Sequence, residues 1–171
     1  MRRLLFLICL GSACSSTEAG KGEIRVAWQR PDRQGEFVLS ADATLCRETG
    51  VVELLAASGD TGVGIAIFPA DSATVLPGAY PIFHGGNVLQ EPRPGANLAL
   101  RWFDRLALEA YQALNGEVLI DAGNTVLSGS FDAESEGIER NDSIRVSGRF
   151  RGVPLRELAV GCGVTSKRNR T

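Results

Sequence analysis

Histidine is almost absent from this chain: one residue in 171. Imidazole is the side chain that titrates nearest neutrality, so a general-base role has a single imidazole candidate, His84. An excess of one charge sign is missing as well, since 18 Lys and Arg stand against 20 Asp and Glu, a net of −2. That balance gives no broad basic footprint for a nucleic-acid backbone. Nowhere do 18 apolar residues run together, so the sequence reads without a membrane-spanning helix. Aromatic residues are scarce at 6%, and Trp28, Trp102, Phe37, Phe68, Phe131 and Phe150 read as core packing rather than as a stacking platform for bases. Repeats, low-complexity tracts and interdomain linkers are also missing. What remains, 44% hydrophobic and 22% charged residues, describes one small globular domain.

The first residues have a different character. Arg2 and Arg3 precede the apolar run Leu4–Leu10, and small residues Gly11, Ser12 and Ala13 lead to Cys14, the layout of an export signal. The ending Leu10-Gly11-Ser12-Ala13-Cys14 resembles a bacterial lipobox, in which the Cys14 thiol accepts a diacylglyceryl group. It departs from that pattern at Gly11, where a large aliphatic residue is usual. Ordinary cleavage near Ala13 or Ala19, giving a secreted product, is the alternative. Residues 1–13 are therefore read as a lipoprotein signal peptide, 14–22 as a lipid-anchored tether, 23–164 as the folded domain and 165–171 as a basic tail. Three acyl chains would hold Cys14 stably, at about 0.8 kcal/mol per buried methylene. The small polar stretch Ser15–Gly22 would reach roughly 26 Å when extended. Ser15 and Ser16 resemble the sorting pattern of lipoproteins carried to an outer membrane, facing the periplasm.

Removal of residues 1–14 leaves Cys46 and Cys162, an even pair in a chain bound for an oxidising space, and a charge of 16 minus 20, or −4. A disulfide is the expectation, with free thiols or a metal pair as the alternatives. Closing a loop of over a hundred residues contributes on the order of 4 to 5 kcal/mol in the chain-entropy model. Lys167, Arg168 and Arg170 read as a solvated terminus able to touch anionic lipid.

From Glu23 onward the dominant period is two. Apolar residues alternate at Ile24-Val26-Trp28, Phe37 to Leu45, Val63-Ile65-Ile67, Leu98-Leu100-Trp102, Val118-Ile120, Leu127-Gly129-Phe131 and Ile144-Val146-Gly148-Phe150, while Val51–Ala57 is a more apolar strand. Turn clusters rich in Gly, Pro and Asp separate them, and no helical crossover intervenes. This pattern predicts an all-β fold, a single antiparallel β-sandwich or barrel of about eight to ten strands. Arg105–Leu114 is ambiguous. Its propensities favour helix, yet Leu106, Leu108, Ala110, Gln112 and Leu114 also alternate, and strand is preferred because both neighbours are strands. Asn115-Gly116 reads as a type I′ turn or a helix C-cap.

Tests for chemistry return little. Gly59–Gly64 lacks the lysine and the strand-to-helix setting of a phosphate loop and reads as a hairpin turn. His84 has no serine in a G-x-S-x-G elbow to activate, although Asp71 and Asp104 are distant carboxylates able to approach it. Asp132, Glu134 and Glu136, followed by Gly137 and Asp142, mimic the first half of a calcium loop. Ser143 stands where a bidentate Glu belongs, so a solvated acidic hairpin loop is preferred. No catalytic residues and no cofactor are assigned.

The strings GDTGVGIAIFP, LPGAYPIF, RPGANLALRW, GEVLI, LSGSFDA, IRVSGRFRGVP and VGCG resemble small uncharacterised bacterial lipoproteins with a β-sandwich-like domain. That resemblance implies fold, export and anchoring, supports the strand reading of Arg105–Leu114, and carries no activity. The expectation is a non-enzymatic, lipid-anchored envelope domain with a structural or protein-interaction role, attached to the membrane and free of nucleic acid. The alternative is a carrier of a small apolar ligand in a barrel or sheet mouth around Tyr80, Phe83, His84 and Trp102.

Overall fold

The computed structural model describes residues 22–71, 75–85, 92–104, 107–123, 125–139 and 142–159. They form nine strands: β1 (Gly22–Gln29), β2 (Gln34–Cys46), β3 (Val52–Ser58), β4 (Thr61–Phe68), β5 (Gly78–Pro81), β6 (Gly95–Asp104), β7 (Ala107–Ala122), β8 (Val126–Gly137) and β9 (Ser143–Leu158). Among the described residues there is no helix. The sheet order is β5-β7-β6-β4-β3-β2-β1-β9-β8, and β7 also pairs with β8. Eight strands thus close into a ring, β1-β2-β3-β4-β6-β7-β8-β9, so the chain forms the barrel rather than the sandwich. Closure removes the open sheet edges that invite aggregation.

The two-residue period decides which side chains fill the barrel. Ile24 and Val26 of β1, Leu39, Ala41 and Ala43 of β2, Leu54 of β3, Ile65 of β4, Leu98 of β6 and Val146 and Phe150 of β9 are all buried in one cluster. Their sequence neighbours face outward, as the alternating burial of β1 and β8 illustrates. An eight-stranded barrel has an interior just wide enough for such side chains.

Two places depart from a simple up-and-down ring. Past the start of β1, Ala43–Cys46 of β2 pair directly, and in parallel, with Leu155–Leu158 of β9. Elsewhere β7 divides its partners, with Ala107–Gln112 pairing β6 and Glu117–Ile120 pairing β5. The short β5 occupies the seam where β6 and β7 part. Ile82 N–H donates to Gly116 O (2.9 Å) and Phe83 N–H to Ala96 O (3.0 Å), stitching the seam on both sides.

Several expectations are met and others corrected. Gly59-Asp60 is the two-residue turn between β3 and β4, with Gly59 at φ 58°. The strand preference for Arg105–Leu114 agrees with β7 from Ala107 on, but the alternation is of opposite phase. Glu109, Tyr111 and Ala113 are buried, while Leu108 faces solvent. Asn115-Gly116 is neither turn nor cap. β7 runs straight through it with a bulge between Ala113 and Asn115, because the ladder with β8 continues on both sides. Gly116 takes φ 125°, and a Cβ there would lie 2.2 Å from Asp132 O. The acidic run Asp132–Glu136 is likewise no hairpin loop but the middle of β8.

Candidate functional site

The connections β1–β2, β3–β4, β6–β7 and β8–β9 share one end of the barrel, and a polar plug over stacked aromatic rings closes that mouth. Trp28, Trp102 and Tyr111 sit at inward positions near the ends of β1, β6 and β7. Trp28 and Trp102 stack at 4.8 Å between centroids, and Trp102 and Tyr111 at 5.2 Å. Gly35 makes room for the first ring, since a Cβ there would lie 2.6 Å from it. Arg30, just past β1, sets its guanidinium 5.1 Å from the Tyr111 centroid and 5.9 and 6.0 Å from those of Trp28 and Trp102.

Carboxylates complete the plug. Arg30 Nη2 donates to Glu109 Oε2 at 2.8 Å, with both side chains almost fully buried at 7% and 4% exposure. The Tyr111 hydroxyl lies 2.9 Å from Asp142 Oδ2 and 3.3 Å from Glu109 Oε2. Arg33 pairs with Asp104 and reaches to 4.0 Å from Glu109 Oε1. Two guanidinium groups thus meet three carboxylates, while Arg30 Nε, Arg33 Nε, Asp142 Oδ1 and Trp102 Nε1 are buried there without a hydrogen-bond partner among the described residues. Such an arrangement orders the mouth; it presents no nucleophile beside a base.

The four residues proposed for a ligand mouth do not converge. Trp102 belongs to the aromatic stack. Tyr80 lies buried on β5 and donates its hydroxyl to Leu76 O at 2.8 Å, and burial pushes its pKa above the usual 10.0. Phe83 lies in the seam, where its ring would be 2.6 Å from a Cβ on Gly95. His84 is exposed on the outer surface with Nδ1 3.5 Å from Glu136 Oε1, so its carboxylate neighbour is neither Asp71 nor Asp104.

Asp132, Glu134 and Glu136 point outward at alternate positions of β8, about 6.6 Å apart along the strand, too spread to wrap one ion. Each has its own neighbour: Arg145 Nε at 3.6 Å from Asp132, Asn115 Nδ2 at 3.2 Å from Glu134, and His84. Among the described residues no cluster of three or more His, Cys, Asp or Glu is arranged to hold a metal. Cys46 is buried at the end of β2, while Cys14 and Cys162 lie outside the described residues.

The outer surface of the barrel has a more apolar side, which also carries Arg101, and a more charged side, which also carries exposed Val126 and Leu158. On β3, β4, β6 and β7, near the plugged mouth, Leu55, Phe103 and Leu108 are 58%, 54% and 49% exposed, and Ile138 beyond β8 is 62% exposed. Between them Gly64, Ala99 and Ala110 line a shallow apolar groove of about 370 Å³. Ile138 is held over it by its N–H bond to Ala110 O (2.9 Å). The outer face of β1, β9 and β8 instead carries Glu23, Arg25, Arg145, Arg149, Arg151 and the β8 carboxylates, all exposed. Comparison with family models, curated proteins and solved structures finds no match to this chain.

Proposed function

We propose that this protein is a non-enzymatic interaction domain of the bacterial cell envelope, tethered through an acylated Cys14 and docking a protein partner on the apolar outer face of β3, β4, β6 and β7. The observation that carries the reading is the exposure of Leu55 and Ile138 at one groove, with the exposed pair Phe103 and Leu108 beside it on β6 and β7. Exposed apolar side chains gathered on one face, rather than scattered singly, mark interaction surfaces. The interior supports the same choice. A barrel of this size is wide enough for one small ligand, but Trp28, Trp102, Tyr111 and the Arg30–Glu109 pair occupy the mouth that a ligand would use.

Anchoring fits the same geometry. β1 starts at Gly22, at the end opposite the plugged mouth, so a tether ending there leaves the groove facing away from the bilayer. Ser15 and Ser16 favour the periplasmic face of an outer membrane as the address. The second covalent element of the proposal is a Cys46–Cys162 disulfide. Cys46 is 3% exposed and stands opposite Leu158, four residues short of Cys162.

Two measurements test the reading. A photo-crosslinking residue placed at Leu55 or Phe103 in living cells is expected to give a discrete protein adduct, and the same residue at Arg149 none. Adducts of equal yield at all three positions would remove the docking face. Labelling with an alkynyl fatty acid is expected for the wild type and not for Cys14→Ala; an unlabelled wild type recovered from the medium would mean secretion.

A further inference from the structure

The charged wall of the barrel contains three cations that are held in no ion pair among the described residues. Arg25 of β1 and Arg149 of β9 are directly opposite each other in the ladder, and Arg151 follows on the same face, opposite Glu23. Like charges in directly opposed positions repel. Among the described residues none of these three guanidinium groups forms an ion pair, whereas Arg47, Arg145 and Arg156 have Glu157, Asp132 and Asp42. The groups facing the patch from neighbouring strands are Glu36, Val38 and Ser40 of β2 and Ser130 and Asp132 of β8, with Glu23 on β1 itself; Asp132 is already paired with Arg145. Three guanidinium groups without an ion pair against two carboxylates without one, Glu23 and Glu36, is a local surplus in a domain whose mature charge is 16 minus 20, or −4.

Position gives this surplus a meaning. Arg25 is three residues from Gly22, about 10 Å along the strand, and Glu23, one residue from Gly22, pairs with Arg151. The patch therefore borders the point where the tether joins the barrel. The ring order also places the β1–β9 boundary diametrically across from the β4–β6 boundary, the centre of the apolar face.

We propose that Arg25, Arg149 and Arg151 form a contact site for the phosphate groups of anionic lipids, laying the β1–β9 wall on the bilayer and turning the β4–β6 face toward the aqueous compartment. Guanidinium forks match phosphate oxygens, and each Arg near an anionic surface adds measurable attraction. The choice of a bilayer as the source of phosphate rests on the anchored reading of Cys14; the anion site itself does not.

The test uses a chain beginning at Ser15, which keeps all nine strands because they span Gly22–Leu158. Flotation is measured with phosphatidylcholine vesicles and with vesicles containing 30 mol% (about one lipid in three) phosphatidylglycerol, a density at which basic side chains bind through the surface potential. Binding is expected to the anionic vesicles only and to fall as salt rises. The variant Arg25→Gln/Arg149→Gln/Arg151→Gln is expected to partition about a hundredfold less, and Arg149→Gln alone about fivefold less. Neutralising Lys167, Arg168 and Arg170 in the tail is expected to leave most of the binding. Equal binding to both vesicle types, no binding, or a triple variant that binds like its parent overturns the proposal. So does full competition by millimolar inorganic phosphate, which would mean a soluble anion. Because acylation plays no part in the assay, a chain that is unlabelled at Cys14 yet binds anionic vesicles removes the anchor and keeps the site.

Discussion

Phe131 of β8 stands directly across from Gly148 of β9, and its ring takes the space where a side chain on Gly148 would begin. A Cβ there would lie 2.3 Å from the ring and 2.5 Å from Arg25 O. Two residues along β8 the order is inverted, with Gly129 opposite Phe150 and 2.7 Å from a Cβ to that ring. Each ring covers the glycine of the facing strand, which pins the register of β8 against β9, because a one-residue slip would turn every side chain to the other face.

Gly148→Ala is therefore expected to destabilise the barrel by about 1–3 kcal/mol, the usual cost of overpacking. The urea midpoint should fall with its slope unchanged. Phe131→Ala combined with Gly148→Ala should cost less than the sum of the two single changes, since the clash is shared. Additive costs would mean that the ring and the glycine are not coupled.

The Arg30–Glu109 pair gives a second expectation. Its desolvation offsets much of its attraction, so the intact pair adds little net stability, yet without Glu109 the buried Arg30 keeps only the longer contact to the partly exposed Asp142, at 3.6 Å. Glu109→Leu is expected to cost about 3–5 kcal/mol, with the near-ultraviolet signal of the Trp28–Trp102–Tyr111 stack reduced. Arg30→Met added to Glu109→Leu should recover part of that loss. A double variant less stable than Glu109→Leu alone would show that Arg30 acts mainly through the rings, by cation–π attraction.

The barrel was largely legible in the sequence because alternation is a backbone property: inward side chains must be apolar wherever the wall is one sheet thick. The same rule explains what was not legible. At Ala107–Gln112 the alternation offers two apolar phases. The inward one contains Glu109, which a reading by hydrophobicity rejects, since partners as distant as Arg30, 79 residues away, make its burial tolerable. The plug of Arg30, Arg33, Glu109, Tyr111 and Asp142 was invisible for that reason, being assembled from two turns and one strand far apart in the chain. The apolar phase of that alternation, Leu108 and Ala110, turns outward instead, and Ala110 lines the groove. Asp132–Glu136 failed differently: its spacing of two is shared by a strand and by the first half of a calcium loop, and only the ladder with β9 separates them. β5 carries too few residues to show a period.

Tyr80 supplies a pH dependence with a definite sign. Burial raises its pKa above 10.0 in the folded protein, so between the unfolded and folded values the unfolded chain has lost a proton that the native state keeps. Stability contributed by the neutral phenol is complete below the unfolded value and is lost as pH rises through the folded one, with a limiting slope of about 1.4 kcal/mol per pH unit. Tyr80→Phe should lack this alkaline loss. At neutral pH it should cost about 0.5–1.5 kcal/mol through the missing bond to Leu76 O. Parallel stability curves for the two proteins above pH 10 would assign the alkaline loss elsewhere.

Cys46 closes β2 at a buried position, opposite Leu158 in the parallel ladder that joins β2 to β9. A bond to Cys162 would staple the last strand to the second and constrain nearly the whole unfolded chain. The expected contribution is on the order of 4–5 kcal/mol. Intact mass under non-reducing conditions should be lighter by two hydrogens than after reduction. Reductant should lower the melting temperature of the wild type but not that of Cys46→Ser, which is expected to melt at the reduced value throughout. Cys46→Ser could also lose stability simply by placing a hydroxyl in a buried site, and Cys162→Ser separates the two effects. If the bond carries the stability, both variants fall together; if burial of the thiol carries it, only Cys46→Ser does.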